Sequence, residues 1–325
     1  MPRRWISANP GLDNLRIEQA VPPQPGKGEL GVEVRAAALN FSDLLMVDDK
    51  YQVRPPRPFT PGQEIAGVVT SAGEGTRHAV GDRVAGKVLW GGFASHAVLR
   101  DDMAIRIDET STFAEAAALP VVYTTAYVAL TECTSVKKGE VVLVHAAAGG
   151  VGVASIQIAV DRGAHVIAAA GSETKRKAAL DNGARWAIDP NVTDWSEKVM
   201  ELTGGRGADI VVDPVGGKVT LESLRALAID GRLLIVGFAA GEIPKIPANR
   251  LLLKRAAAIG VYWNHDTDAQ MLANVNERMS SDLASGAIRP VVDLRPGLEA
   301  LPQALADLAA RKTMGKVIIE IGDEA

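Results

Sequence analysis

The sequence predicts an α/β protein in which a doubly wound parallel sheet is inserted into a β-rich domain. Three observations carry this. An apolar run at 141–145 stops at a glycine-rich turn and passes into a helix-forming stretch, VVLVHAAAGGVG. From there to about residue 263 strand-like and helix-like segments alternate, the pattern of a parallel sheet covered on both faces. The residues before and after that block read instead as short strands cut by Gly and Pro. The expected division is 1–118 with 265–325 for the β-rich domain and 119–264 for the inserted one.

In the first third the strand candidates are LGVEVRAAAL, EIAGVVTSAG, DRVAGKVLW and FASHAVLR. Near Ser111 the texture changes, and TFAEAAALPVVYTTAYVAL reads as a helical hinge broken by Pro120. Beyond Val141 the strand candidates are VVLVHA, AHVIAAA, ARWAID, ADIVVDPV, GRLLIVGF and AAIGVYW. Between them lie the helical stretches VGVASIQIAVDRG, TKRKAALDNG, WSEKVMELTGG and KVTLESLRALAIDG. Gly163, Gly183, Gly204 and Gly231 stand where these helices should end in left-handed caps. A further helix, DAQMLANVNERMSSDLASG, precedes IRPVVDL and a closing helix–strand pair that ends in GKVIIEI. This tail has the short-strand character of the first third, so the α/β block reads as an insert.

Hydrophobic residues make up 47% of the chain, ample for folded cores. The net charge of −4 gives no electrostatic reason to expect nucleic acid or an anionic membrane as partner. The longest nearly apolar stretch, 116–130, contains Pro120, Thr124 and Thr125 and falls short of a bilayer span. The opening MPRRWISANPGLDNL has two arginines but no apolar core behind them, a poor secretory signal. Cys133 is the single cysteine, which excludes an intramolecular disulfide and a multi-cysteine metal cage. The expected location is the reducing cytoplasm, with Cys133 a small packed side chain.

The segment 141–152 also carries chemistry. Ala147-x-Gly149-x-x-Gly152, with Gly150 and Val151 inside it, is a dinucleotide fingerprint with Ala at the first glycine position. Glycines let backbone approach a pyrophosphate closely, and the helix amino end aims free N–H groups at the anion. The end of the second strand decides the coenzyme: an acidic residue grips a ribose 2′-hydroxyl, whereas small residues with nearby cations accept a 2′-phosphate. Gly171 and Ser172 occupy that point, and Lys175 and Arg176 follow one helical turn on. Glu173 is discordant, but the balance favours NADPH. Neither a GxSxG elbow nor a Walker-type loop is present.

Several longer motifs stand in a fixed order: NFSDLL at Asn40, PGQEIAGVV at Pro61, VGDRV at Val80, GGFASHAV at Gly91, YTTAY at Tyr123, HAAAGGVG at His145 and GKVII at Gly315. Together, and nearly end to end, they resemble the medium-chain dehydrogenase/reductase superfamily, specifically its zinc-independent quinone oxidoreductase branch. The resemblance implies a Rossmann domain inserted into a GroES-like domain, the two forming the walls of a cleft. It also implies a homodimer paired through the edge strand of the nucleotide domain, with AAIGVYW outermost. Zinc members carry a catalytic Cys where this chain has Asn40, and His where it has Gln63 in Gly62-Gln63-Glu64. A catalytic zinc site needs about three ligands, and Glu64 alone cannot hold the ion. No metal is expected.

The resemblance assigns roles residue by residue. Asn40 and Tyr51 line the cleft near the nicotinamide, and Tyr51 offers a hydrogen bond to charge developing on the substrate oxygen. The loop before Tyr51 departs from the family, with Val47 and Asp49 where Arg and Gly are usual. Thr125 approaches the nicotinamide ribose or ring, and main chain at Gly237 and Phe238 meets the nicotinamide amide. Arg311 resembles a carboxy-terminal Arg that reaches the 2′-phosphate. Pro190, after Asp189, stands where many relatives have a Tyr near the cofactor. Asp43 and Glu64 match architectural positions, and His145 a packed strand residue. Trp90 and Tyr262 are candidate wall residues; Arg54, Arg57 and Arg250 are where a patch for CoA phosphates would be sought.

Without a Lewis acid the acceptor must take hydride unaided, as quinones and α,β-unsaturated carbonyls do by conjugate addition. The expected activity is therefore NADPH-dependent reduction of a small quinone or enone. Reduction of enoyl or acryloyl thioesters is a close alternative. A NADPH-binding structural or regulatory protein with little turnover is another.

Overall fold

The computed structural model describes residues 1–322. The chain divides into two compact units, one comprising Met1–Val121, Ala269–Gly286 and the residues from Pro290 onward, the other Val122–Asp268 with Ala287–Arg289.

The first unit opens with β1 (Arg3–Ser7) and β2 (Leu15–Gln19), an antiparallel pair. Then come β3 (Glu29–Ala38), α1 (Phe41–Val47), β4 (Glu64–Ala72), β5 (Arg83–Lys87), β6 (His96–Arg100), β7 (Ala104–Arg106) and α2 (Phe113–Ala117). Thr112 and Glu115 close a reciprocal capping box on α2, so that helix starts where the sequence changes texture. Its alanines 114, 116 and 117 pack on Ala36, Ala38, Ala66 and Ala85; small residues on both sides let helix and sheet approach closely.

The expected hinge is more broken than Pro120 alone suggests. Leu119–Tyr123 and Val128–Glu132 are wide π-helical turns flanking the short α3 (Thr124–Tyr127). The second unit continues with β8 (Val141–His145), α4 (Gly150–Asp161), β9 (His165–Ala169), α5 (Glu173–Asp181), β10 (Trp186–Ile188) and α6 (Trp195–Leu202). It ends with β11 (Ala208–Asp213), α7 (Gly217–Ala226), β12 (Leu227–Ile235), α8 (Ala248–Lys254) and β13 (Ala257–Gly260). Its six strands lie in the order β10-β9-β8-β11-β12-β13, all parallel. The order reverses between β8 and β11, the point in a doubly wound sheet where ligands bind beyond the strand ends. Fully buried Val142, Leu143, Ile167, Val211 and Leu233 explain the continuous apolar runs read from the sequence.

One expected cap is wrong. Gly163, Gly183 and Gly204 take positive φ, but α7 stops at Ala226 and Gly231 lies inside β12. Asp230 there holds φ 59°, and the β11–β12 register shifts nearby. Of the helix-friendly run LAIDG only Leu227 pairs, with Ala208; residues 228–231 form an irregularity in β12, and pairing resumes at Arg232.

The remaining elements return to the first unit: α9 (Ala269–Ser285), β14 (Val292–Pro296), α10 (Leu301–Ala309) and β15 (Lys316–Glu320). Its large sheet runs β14-β15-β3-β4-β5-β7, with β6 also pairing β3. Leu301, Ala304 and Leu305 of α10 join Val32, Val34, Ile65 and Ile319 in the core. The inserted topology expected from the sequence is therefore what the chain adopts.

Candidate functional site

In the second unit β8 runs straight into the glycine turn. The left-handed position falls on Ala146 (φ 47°), a residue the motif reading overlooked, while Ala147 at the first glycine position is fully buried. Gly149 caps α4, its N–H bonding to Ala146 O at 2.8 Å. A Cβ on Gly152 would lie 2.4 Å from Ala146 O and 2.7 Å from the Ala147 backbone, so only glycine lets α4 pack this closely. Gly149, Gly150 and Val151 stay half-exposed at the helix start, where the first N–H groups have no intrahelical partner.

Beyond β9, Gly171 and Ser172 are exposed, and the Ser172 hydroxyl caps α5 by accepting the Lys175 N–H. Arg176 is held rather than loose. Its Nη1 donates to Ala170 O at 3.0 Å and to Asp189 Oδ2 at 2.9 Å. Asp189 also accepts the Asn191 N–H; that bond first, and then Arg176, hold its carboxyl below the usual range. Asn191 in turn donates to Gly171 O, tying the strand end to the next loop. Position 189–190, where the family's Tyr is missing, thus supplies an anchor for the cation instead.

Thr125 is oriented by a residue the sequence reading placed elsewhere: the Trp263 indole N–H donates to its hydroxyl at 3.0 Å. Thr125 Oγ1 acts as acceptor there and keeps its own proton to donate. Gly237 and Phe238 follow β12 in an exposed loop, and Phe238 is 39% exposed, so it is not a core aromatic. His145, by contrast, is buried, bonded to Ser223 at 2.8 Å and set edge-on to Trp195; burial pushes its pKa down to about 4. It is packing, as expected. Cys133 is half-buried, and burial pushes its thiol up.

The first unit concentrates its buried charge around Asn40. The Asn40 Nδ2 donates to Glu64 Oε2 at 2.6 Å, while its Oδ1 accepts from Lys316 Nζ at 2.6 Å. Lys316 and Glu64 also form a close ion pair, and Glu64 Oε1 accepts the Val121 N–H at 2.6 Å. Asp43 takes the Asn40 backbone N–H at 2.7 Å; burial pushes its pKa up to about 7, against the pull of that bond and of Lys316. Lys87, directly across β4–β5 from Glu64, is pushed down by desolvation, with Glu64 opposing. Lys316 was the missed residue here. Its signal was a lone cation opening an otherwise apolar strand, GKVII.

This donor set does not fit zinc. The oxygens of Asn40 and Glu64 that face inward both contact the Lys316 ammonium, which repels any second cation. Gln63, in the expected ligand position, pairs with Ser42. Among the described residues no three His, Cys, Asp or Glu side chains gather as a ligand set.

Tyr51 is half-exposed in the loop after α1. The family's glycine is replaced by Asp49, which holds φ 58° and binds Arg57 at 2.7 Å. Arg57 also reaches Val47 O and Ser7, so it braces the loop and is not a free rim charge. Arg250 likewise donates to Leu221 O. Arg311, exposed in the first unit with φ 57°, follows α10.

Both halves of the chain match family models: the alcohol dehydrogenase GroES-like domain over residues 26–121, and the zinc-binding dehydrogenase domain over residues 150–280. Rat quinone oxidoreductase-like protein 2 is 38% identical over 312 residues, 94% of this chain and 89% of its own length. A probable oxidoreductase from Mycobacterium abscessus superposes with TM-score 0.89 at 35% identity, covering 98% of this chain and 99% of that one. The Escherichia coli quinone oxidoreductase, solved with NADPH, gives TM-score 0.90 at 29% identity, again covering 98% and 99%. The fold and these matches define an oxidoreductase of the medium-chain dehydrogenase/reductase superfamily. Within it, the chain belongs to the quinone oxidoreductase family.

Proposed function

We propose that this protein uses NADPH to reduce quinones or other α,β-unsaturated carbonyl compounds without a metal ion. The observation that carries the reading is the Gly152 cradle followed, one strand later, by Arg176 anchored beside small Gly171 and Ser172. Ala147, Gly149, Gly150, Val151 and Gly152 would hold the pyrophosphate; Lys175, Arg176 and Arg311 would answer the 2′-phosphate. The E. coli relative solved with NADPH supports the same coenzyme here. NADPH, when bound, supplies the hydride. Thr125, with its proton still available, and the main chain at Gly237 and Phe238 orient the nicotinamide. Asn40 and Tyr51 offer hydrogen bonds to the acceptor oxygen as negative charge collects there. The Lys316 ammonium supports the metal-free reading, because it fills the place among the oxygen donors that an ion would need.

The test is NADPH absorbance loss with a panel of quinones, enones and enoyl thioesters, with NADH and a chelator as controls. Chelator-resistant turnover of quinones or enones, faster with NADPH, is expected. Preference for thioesters would reassign the acceptor, and tight coenzyme binding without turnover would make the protein a NADPH-binding regulator. We also read the protein as cytoplasmic, on its single cysteine, and as a homodimer. β13 is an outer strand, and Leu252, Leu253 and Tyr262 beside it are more than 70% exposed, an apolar edge that a second copy would cover. Light scattering of a Leu253→Glu variant should show monomer; an unchanged dimer would refute this edge as the interface.

A further inference from the structure

Lys316 is 4% exposed, Glu64 is fully buried, and the proposed chemistry has no direct use for either charge. Strand register explains how they meet. Ile318 pairs with Ala38, Ala38 with Glu64, and Glu64 with Lys87. Directly paired residues share a face, and so do residues two apart on a strand. Lys316, Ala38, Glu64 and Lys87 therefore fall on one face across β15, β3, β4 and β5. Asn40, two residues beyond Ala38 in extended backbone (φ −120°, ψ 152°), continues the same row.

A carboxamide can turn over, exchanging oxygen for nitrogen at little intrinsic cost. This one cannot. Lys316 donates to Oδ1 at 2.6 Å and Glu64 accepts from Nδ2 at 2.6 Å. The turned amide would set its NH2 against an ammonium and its oxygen against a carboxylate, two buried mismatches at once. The lock leaves one Nδ2 proton uncommitted, so Asn40 presents a donor rather than an acceptor.

We propose that Lys316 is a positioning residue that, with Glu64, fixes the Asn40 carboxamide so that its remaining N–H serves the carbonyl oxygen of the acceptor. This rests on the reading that Asn40 faces the acceptor. The lysine acts through Asn40 and touches no reactant itself.

The test compares wild type with Lys316→Arg and Lys316→Met by steady-state kinetics and NADPH affinity. In parallel, the Asn40 side-chain amide of the wild type is followed by nitrogen–proton NMR, assigned with Asn40→Ala. The Met variant should lose roughly 10- to 100-fold in kcat, the scale of one misplaced oxyanion donor, while NADPH affinity holds within about two-fold. Lys316→Arg, which keeps the cation, should recover much of the loss. In wild type one Nδ2 proton should be shifted downfield by the carboxylate and slow to exchange with solvent. A folded Met variant with unchanged kcat overturns the proposal. If the Met variant does not fold, Asn40 amide protons in wild type that both sit at free-amide shifts and exchange rapidly with solvent overturn it instead. A wild type that turns over no acceptor overturns the underlying reading, and the acceptor role with it, whatever the amide shows.

Discussion

Replacing Arg176 with Ala separates the two nicotinamide coenzymes. Both of its present contacts use Nη1, which leaves Nε and Nη2 to fork onto a phosphate. A charge-assisted hydrogen bond contributes about 1.5–3 kcal/mol. Arg176 is 26% exposed at its side chain, so solvent trims that, and about 2 kcal/mol is the working figure. That corresponds to NADPH binding weakened roughly 30-fold, with NADH, which lacks the 2′-phosphate, nearly unaffected. Asp189 adds to the effect: without Arg176 its negative charge stands unpaired near the incoming phosphate. Asp189→Asn in the wild-type background should therefore tighten NADPH several-fold. Titrating both coenzymes by fluorescence or calorimetry reads the ratio directly. Equal losses for NADPH and NADH in Arg176→Ala would refute the 2′-phosphate assignment.

Two more expectations come from buried positions. Asp43 has its pKa raised from 3.8 to about 7, so between those values the folded state holds a proton that the unfolded chain has lost. Stability from this group is greatest below about pH 4, falls as pH rises toward 7, and is gone above it, a swing of up to about 4 kcal/mol. Denaturant unfolding should find Asp43→Asn flatter across that window and more stable than wild type at pH 8; parallel pH profiles would contradict the account. Gly152→Ala should lower the melting temperature and abolish coenzyme binding, because its Cβ would meet backbone at 2.4 Å; the strain is on the order of 1–3 kcal/mol. A melting temperature and coenzyme affinity equal to wild type would count against the close packing of α4.

What was readable from the sequence was local. Strand, turn and helix at Val141 to Asp161 signal themselves within one short contiguous segment, and their order alone marks a nucleotide fold. The Gly231 cap failed because helix propensity cannot see that α7 gives way at Ala226 to a strand that bulges before its ladder resumes at Arg232. The Asn40 lock was unreadable for a different reason: its cation lies 276 residues away and arrives only through the pairing of β15 with β3. Trp263 reaches Thr125 across 138 residues in the same way. Ala146 escaped because a motif search looks for glycine, whereas here alanine carries the left-handed turn.

The late arrival of β15 has a consequence for biogenesis. Residues 36–38 of β3 pair with β15 on one side, a strand separated from them by the whole nucleotide unit. During translation at roughly 5–20 residues per second, that edge waits tens of seconds while the inserted unit is synthesised and folds. An exposed strand edge is a template for pairing with other chains. The nascent chain is therefore most vulnerable to mispairing in this interval, and slowed translation after residue 290 should lengthen its dependence on chaperones.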